Sequence, residues 1–197
     1  MKIAFACLAG IAGLSCTQNN KEITKQETEF KYLVDEFADI KIMRYKVPGW
    51  DDLTLDQKSF IYYMGEAAKC GRDIFWDQNF RHNLVVRKCL ESILETYTGD
   101  RETDEFKEFL IYAKRVFFSN GIHHHYAEEK ILPGCSADYI RHLLENSEIS
   151  AKVNSMVDLM CDPDLFKMRK SDGKKGDLLL SSSTNFYSGV SRKEAET

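Results

Sequence analysis

Apolar residues recur at intervals of three and four in successive stretches of this chain, and this spacing limits its fold more than any other feature. One face of an α-helix repeats with that interval, so each stretch predicts an amphipathic helix. The clearest stretches cover residues 83–97 and 103–117, and others follow Thr54, Ser136 and Ile149. The sequence therefore predicts a mainly α fold, of α+β class, with a few short strands.

Residues that favour helix ends support these boundaries. Thr54, with Gln57 three residues later, fits a capping box, in which two side chains bond each other's backbone. Asn120 and Gly121 suit the left-handed conformation that commonly follows a helix. The first helix is predicted to bury a stripe formed by Phe60, Ile61, Met64, Ala67 and Ala68.

Two other segments are predicted to be non-helical. Residues 37–47 are rich in β-branched and aromatic types, which predicts a short strand that ends at Pro48-Gly49. Residues 178–191 are predicted to be extended or irregular. Ser191 and Glu194 fit a second capping box, only three residues before the last residue of the chain.

Composition and charge limit the class of protein. The chain has 197 residues, of which 43% are hydrophobic and 29% charged, as in a soluble globular protein with one sizeable core. The formal net charge is -4, and no cluster of lysine and arginine would follow a phosphate backbone. We therefore expect no nucleic-acid partner.

The first residues predict export. An apolar run from Ile3 to Leu14 follows Lys2; it is too short to span a bilayer and is typical of a secretory signal. Cys16 follows Leu-Ser, as in bacterial lipoprotein processing sites. We predict a signal peptide at 1–15, lipidation of Cys16 and a flexible tether at 16–34. The alternative is an ordinary signal peptide cut nearby, so the protein is either a membrane-anchored lipoprotein of the cell envelope or periplasmic.

Four cysteines follow the predicted tether, and no two of them have the C-x-x-C spacing of zinc ribbons or thioredoxin-like motifs. An exported protein can pair such residues in disulfides. Their wide separation nevertheless favours four buried thiols. These residues are Cys70, Cys89, Cys135 and Cys161.

The segment FFSNGIHHHYAEEKILP, residues 117–133, contains three consecutive histidines. Successive side chains of an extended loop point to opposite sides, so only His123 and His125 can converge on one ion. Glu128 and Glu129 would make such a site rich in carboxylates and are otherwise expected to be solvated. The spacing matches no closed structural zinc pattern, so we expect no metal site in this chain.

Other polar groups point to structure rather than to catalysis. Arg72, Asp73 and residues 77–79 surround an aromatic patch, and we predict that a buried Asp–Arg pair there fixes two helices. The chain contains neither a G-x-S-x-G elbow nor a glycine-rich phosphate loop.

Three stretches resemble the N-terminal region of bacterial dipeptidyl-peptidase III-like zinc metallopeptidases. They are FADIKIMRYKVPGWDDLTLDQKSFIYYMGEAAKCGRDIFWDQN, FKEFLIYAKRVFFSNGIHHHYAEEKILP and NFYSGVSRKEAE. The resemblance implies a two-lobed enzyme that removes dipeptides from the N-termini of short peptides. In this family two histidines of an H-E-x-x-x-H motif and a later glutamate hold zinc. Residues 35–197 would form part of the helical N-terminal lobe, one wall of the substrate cleft.

The zinc motif of that family is not found in this sequence. None of the five histidines is followed by glutamate. We therefore expect an N-terminal portion of such a peptidase, with no cofactor of its own and no activity alone. A partial lobe is also expected to expose a large apolar face.

The resemblance also implies residues of a peptide-binding cleft. A family segment with Ser-Asn, then Tyr, Lys and Pro corresponds to Ser119-Asn120, Tyr126, Lys130 and Pro133. The alternative is structural: Asn120 caps its helix, Tyr126 packs over it, and the imidazoles are solvated or bond carbonyls, titrating near pH 6.5. The candidate cleft residues are Asn120, His123, His125, Tyr126 and Tyr187.

Two further hypotheses follow from the same residues. The chain could be a stand-alone helical lipoprotein that binds peptides or a protein partner without catalysis. It could also be a non-functional remnant of a split gene. The expected partners are short peptides and, through the lipid anchor, a membrane.

Overall fold

The structure, a computed structural model, describes residues 30–149, 151–174 and 176–197. Within these ranges no helix is long and apolar enough to cross a bilayer. The predicted signal peptide, the lipidation site at Cys16 and most of the tether lie outside the described residues. The elements are β1 (Leu33–Phe37), β2 (Ile40–Met43), α1 (Leu55–Cys70), α2 (Arg72–Asn79), α3 (Asn83–Thr96), α4 (Asp104–Ser119), α5 (Ala137–Glu145), α6 (Val153–Cys161) and α7 (Arg192–Ala195).

The predicted fold class is confirmed, because helices dominate and the two strands form one small antiparallel sheet. The helices also begin close to their predicted starts. The side chains of Thr103 and Ser136 accept hydrogen bonds at the N-termini of α4 and α5. The second capping box, formed by Ser191 and Glu194, starts the four-residue helix α7.

The strands form a hairpin instead of the single strand predicted over 37–47. The chain reverses at Ala38, which adopts a φ of 49°. Neither glycine nor proline marks this turn, so it could not be predicted from turn residues. β1 begins at Leu33, so its first two residues fall inside the segment expected to be tether. An ion pair of 2.7 Å between Lys114 and Asp35 attaches the hairpin to α4.

The core lies between α3, α4, α5 and α6, with Trp76 and Phe80 from the end of α2 added to it. Complete burial of one large apolar side chain contributes about 1.5–3 kcal/mol, so this cluster is the main source of stability. The helical spacing that predicted these helices is thus the spacing of their buried faces. The buried residues of the four helices include Val86, Leu90, Ile93, Phe106, Phe109, Val116, Ile140, Leu143, Leu144, Met156 and Met160.

An ion pair joins α2 to α3, but its arginine is Arg87 and not Arg72 of the predicted cluster. Arg87 Nη1 donates to Asp73 Oδ1 at 2.6 Å, and the guanidinium lies 5.4 Å from the Trp76 ring centroid. An Asp–Arg pair that joins two helices is therefore present, with a different arginine from the one in the predicted cluster. The expected burial is wrong for the acid, because the Asp73 side chain is 58% exposed while that of Arg87 is 10% exposed.

Helix α1 begins with the predicted capping box. Thr54 Oγ1 accepts from the Gln57 backbone N–H at 3.2 Å, and Gln57 Oε1 accepts from the Thr54 backbone N–H at 2.9 Å. The predicted burial of its apolar stripe is wrong, because no described residue of α1 is buried and Phe60 is 66% exposed. The chain turns at Gly71 into α2, and no described residue of α1 belongs to the core.

The four cysteines are free thiols that differ in exposure. Cys89 lies on the core-facing side of α3 and is buried, whereas Cys70 at the end of α1 is exposed. Cys135 and Cys161 are partly exposed. The expectation of four buried thiols is therefore wrong for three of them, because only Cys89 occupies a core position.

Candidate functional site

The chain after α4 folds into a short hairpin rather than the extended loop that the sequence predicted. We call residues 122–131 the histidine hairpin. The Ile131 N–H donates to Ile122 O, and the His124 N–H to Glu129 O, both at 2.7 Å. The Glu128 N–H donates to His124 O at 3.1 Å and closes the turn. This reversal of direction decides which histidine side chains lie together.

Asn120 ends α4 in the predicted left-handed conformation, with a φ of 52°. Its carbonyl accepts from Asn79 Nδ2 at 3.3 Å and lies 3.5 Å from Asn83 Nδ2. The buried Asn83 amide also donates to Trp76 O and accepts from the Ile122 N–H, each at 3.1 Å. One buried side chain therefore connects α2, α3, the end of α4 and the hairpin.

Gly121 permits this close approach of the hairpin to Asn83. Its φ is +151°, and a Cβ at this position would lie 2.2 Å from Asn83 Nδ2. Sequence analysis did not select Asn83 as a functional or structural centre. The signal was present, because Asn83 stands three residues before Val86 on the apolar face of α3, where a polar side chain must find partners.

His123 lies inside the protein and is only 2% exposed. Its ring packs against Phe80 with centroids 5.5 Å apart, and Nε2 donates to Phe166 O at 2.7 Å. Nδ1 is buried without a hydrogen-bond partner in the described part of the chain. Burial lowers the pKa of His123, although the bond to Phe166 acts in the opposite direction. His123 is therefore a neutral core residue and does not line an open cleft.

Four neighbouring rings form what we call the aromatic surface: Phe118, His124, His125 and Tyr126. The His125 centroid lies 4.3 Å from that of Tyr126, 4.6 Å from that of His124 and 5.1 Å from that of Phe118. Tyr126 is 84% exposed. The predicted alternation of sides is wrong for His124 and His125, because the turn places both rings together. Burial and the neighbouring His124 lower the pKa of His125.

Arg169 holds the turn of the histidine hairpin in place. Its Nε and Nη2 donate to the two Glu128 carboxylate oxygens at 2.6 and 2.8 Å. Nη2 also donates to His125 O at 3.2 Å, and Nη1 donates to Asn79 Oδ1 at 3.1 Å. The bond from Arg169 lowers the pKa of Glu128. Glu128 is thus paired with Arg169, and the expectation that it is solvated is wrong.

A groove of about 300 Å³ borders the hairpin. Lys130 lies on its wall and donates to Asp162 O at 2.5 Å and to Leu165 O at 2.9 Å. Arg115 Nε is buried and has no hydrogen-bond partner among the residues that the structure describes. The Arg115 side chain is 31% exposed, and its Nη2 lies 4.0 Å from Asp39 Oδ1. Its lining consists of Arg115, His124, Ala127, Glu129, Lys130, Ile131 and Leu132.

The structure brings together only part of the predicted set of cleft residues. Asn120, His125 and Tyr126 lie on the hairpin or at its start, whereas His123 points inward. Tyr187 is 53% exposed, and none of the hydrogen bonds or ring contacts of the described residues joins it to the aromatic surface. Its neighbour Asn185 bonds α2, with its N–H donating to Gln78 O at 2.9 Å.

Within residues 30–149, 151–174 and 176–197, no group of three or more His, Cys, Asp or Glu side chains is placed to hold a metal ion. The zinc of the resembled family does not fit the hairpin. His123 Nε2 is bonded to a carbonyl, His125 lies among rings, and the Glu128 carboxylate is paired with Arg169.

Comparison with known proteins identifies no family. No family model matches the chain, and no curated protein matches it. The likeness to dipeptidyl-peptidase III-like proteins thus rests on the three sequence stretches quoted above.

The buried, neutral His123 gives a prediction about pH. Its folded-state pKa is lowered, so the unfolded chain binds more protons as the pH falls. The stability that it contributes is fully present above about pH 6.5 and decreases below it. In His123→Gln, an amide N–H can still donate to Phe166 O but does not titrate. We expect urea denaturation to show a smaller loss of stability between pH 7.5 and pH 5 than in the wild type.

The matched control is His142→Gln, because His142 is exposed on α5. His82 and His125, whose pKa values burial also lowers, stay in all these proteins and set the remaining pH dependence. Equal pH dependence in wild type and His123→Gln would show that His123 does not titrate on unfolding.

Proposed function

We propose that this chain binds short peptides at the aromatic surface and the adjoining groove, as the helical wall of a substrate cleft in a dipeptidyl-peptidase III-like protein. The observation that carries the proposal is Tyr126, which is 84% exposed and yet packs on His125. A large exposed ring that is held in position loses little conformational entropy on binding, and such rings are common anchors of interfaces.

The fixed backbone of the hairpin supports this proposal. Arg169 bonds both Glu128 and the His125 carbonyl, and His124 Nδ1 accepts from the N–H groups of Tyr126 and Ala127 at 3.2 and 3.0 Å. These bonds fix the turn from both ends. Binding residues on a loop need such a scaffold to hold their geometry.

The groove beside the rings supplies polar groups suited to a peptide backbone. Arg115 of α4 lines the groove and its side chain is 31% exposed, and Glu129 on the second strand of the histidine hairpin is exposed. A peptide carbonyl or terminal carboxylate matches the first, and an amide N–H or terminal ammonium matches the second. Aromatic contact with a few polar contacts is the usual chemistry of a peptide site.

The proposal assigns binding, not hydrolysis, to these residues. The sequence contains no histidine followed by glutamate, and the hairpin side chains do not fit a zinc ion. The predicted lipid anchor at Cys16 would hold the peptide-binding surface at the cell envelope. A stand-alone lipoprotein that binds peptides would use the same surface.

An NMR titration with tetraalanine, which has a free amino terminus, tests the proposal. We expect shifts of the His124–Glu128 amides. We also expect a Kd about 5–10-fold weaker in Tyr126→Ala, the equivalent of about 1–1.4 kcal/mol for one aromatic contact. Tyr126→Phe keeps the ring and is expected to bind within about twofold of the wild type, since the hydroxyl lies in water.

Tyr45→Ala is the matched control, because Tyr45 is 70% exposed and lies after β2, outside the histidine hairpin. Shifts confined to other segments, or equal weakening by Tyr45→Ala and Tyr126→Ala, would contradict the proposed surface.

A further inference from the structure

The two partly exposed thiols of the described residues, Cys135 and Cys161, lie at the same end of a pair of packed helices. Cys135 immediately precedes Ser136, the N-cap of α5, and Cys161 is the last residue of α6. The two helices pack against each other and are joined by residues 146–152. A short connection makes such neighbours antiparallel, which places the start of α5 beside the end of α6.

The register of the two helices supports this placement. Arg141 of α5 donates a hydrogen bond to the side chain of Asn154 of α6. In an antiparallel pair, moving back along α5 from Arg141 means moving forward along α6 from Asn154. Six steps back reach Cys135, and seven steps forward reach Cys161.

The surroundings of the two thiols are consistent with this placement. Burial raises the pKa of the Tyr112 phenol on α4, and the neighbouring Cys161 and Cys135 raise it further. Tyr112 Oη has no hydrogen-bond partner among the described residues. Lys130 of the histidine hairpin donates to Asp162 O, the residue that follows Cys161. The hairpin, the start of α5 and the end of α6 therefore meet here.

We propose that Cys135 and Cys161 are joined by a disulfide bond in an oxidising compartment. The bond would close a loop that contains α5 and α6. It would also fasten the segment that leaves the histidine hairpin to the end of α6. Cys70 is exposed on α1 and Cys89 is buried on α3, so neither belongs to this pair of helices.

The oxidant is a disulfide reagent, either a small-molecule disulfide or an exported dithiol oxidase. The Cys161 thiolate attacks one sulfur of the oxidant, and one thiolate leaves. The Cys135 thiolate then attacks the Cys161 sulfur of the mixed disulfide, and the second thiolate leaves. Two electrons pass to the oxidant, and the two protons lost by the cysteines are taken up by its thiolates.

The surroundings favour a structural bond over a catalytic one. Burial raises the pKa of Cys135 to about 12 and that of Cys161 to about 11, with the ammonium of Lys130 counteracting the shift at Cys161. The Lys130 ammonium therefore favours Cys161 as the first thiol to ionise. Neither thiolate is strongly stabilised, so ionisation adds little to the stability of the reduced form. The disulfide therefore resists reduction once it has formed.

The test is peptide mapping of the folded full chain after equilibration with oxidised and reduced glutathione, with free thiols blocked by iodoacetamide. We expect one linked peptide pair, Cys135 with Cys161, and an alkylated Cys70. Reduction of the native protein is expected to lower its Tm by about 5–15 °C, as loss of a loop-closing disulfide does. That melting measurement needs no variant.

Cys135→Ser and Cys161→Ser should each abolish the linked pair and the effect of reductant on Tm, while Cys70→Ser should leave both unchanged. Recovery of Cys135 and Cys161 as separately alkylated peptides would overturn the proposal. A linkage of either one to Cys70, or a Tm that reductant does not change, would also overturn it.

Discussion

Asn83→Ala is expected to lower the free energy of unfolding by about 3–4 kcal/mol, because it leaves several buried polar groups without a hydrogen-bond partner. The Ile122 N–H and the Trp76 carbonyl each lose a partner at 3.1 Å, and the Asn120 carbonyl loses its longer contact. Asn83 is fully buried, so water does not replace these bonds without opening the structure. For a chain of this size the Tm should fall by about 10 °C, measured by circular dichroism.

Gly121→Ala tests the same junction from the other side. A Cβ at Gly121 meets Asn83 Nδ2 at 2.2 Å, and the φ of +151° is itself unfavourable for alanine. In the double variant, Asn83→Ala with Gly121→Ala, the side chain at position 83 is too short to clash with the new Cβ. We therefore expect the double variant to be less destabilised than the sum of the two single variants.

Asn146→Ala is the control for loss of an asparagine amide, because Asn146 is exposed at the end of α5 and bonds only within that turn. Its cost should stay below about 1 kcal/mol. If Asn83→Ala costs no more than Asn146→Ala, the buried amide does not hold these elements together.

The second large effect is expected at the ion pair that holds the histidine hairpin. Arg169→Met removes four hydrogen bonds from the guanidinium and leaves the Glu128 carboxylate, whose side chain is only 23% exposed, without its main partner. Breaking one side of a partly buried pair should cost about 2–4 kcal/mol in urea denaturation. We also expect faster amide exchange at Tyr126 and Ala127.

The control is Arg192→Met, which removes a 2.7 Å ion pair with Glu196 whose partners are both more than half exposed. Such pairs contribute up to about 1 kcal/mol, because water solvates the separated charges. The variant Arg169→Met with Glu128→Leu removes both charges and should recover part of the lost stability. Equal costs for Arg169→Met and Arg192→Met would show that the hairpin does not depend on Arg169.

Features that depend on residues close together in the chain, such as helix ends, could be predicted from the sequence. Thr54 with Gln57, and Asn120 with Gly121, act through contacts within a few positions, and both predictions of helix ends are confirmed. The burial of α3 and α4 also followed from spacing alone. The fold class could therefore be predicted before any tertiary contact was known.

The remaining features depend on contacts between distant residues. Arg169 and Glu128 are 41 positions apart, and no spacing rule connects them. The inward turn of His123 depends on the carbonyl of Phe166, which belongs to another segment. The apolar stripe of α1 shows a limit of helical spacing as a predictor. The spacing predicts a helix and its apolar face, but not whether another element covers that face.

That isolation of α1 has a consequence for how the chain responds to temperature. A helix of sixteen residues without buried contacts relies on its own backbone bonds and its capping box, and a helix of this length is only marginally stable in water. The helix–coil equilibrium of α1 is thus largely uncoupled from the cooperative melting of the core. Its ellipticity should decline gradually on warming, as a sloping baseline that precedes the main transition.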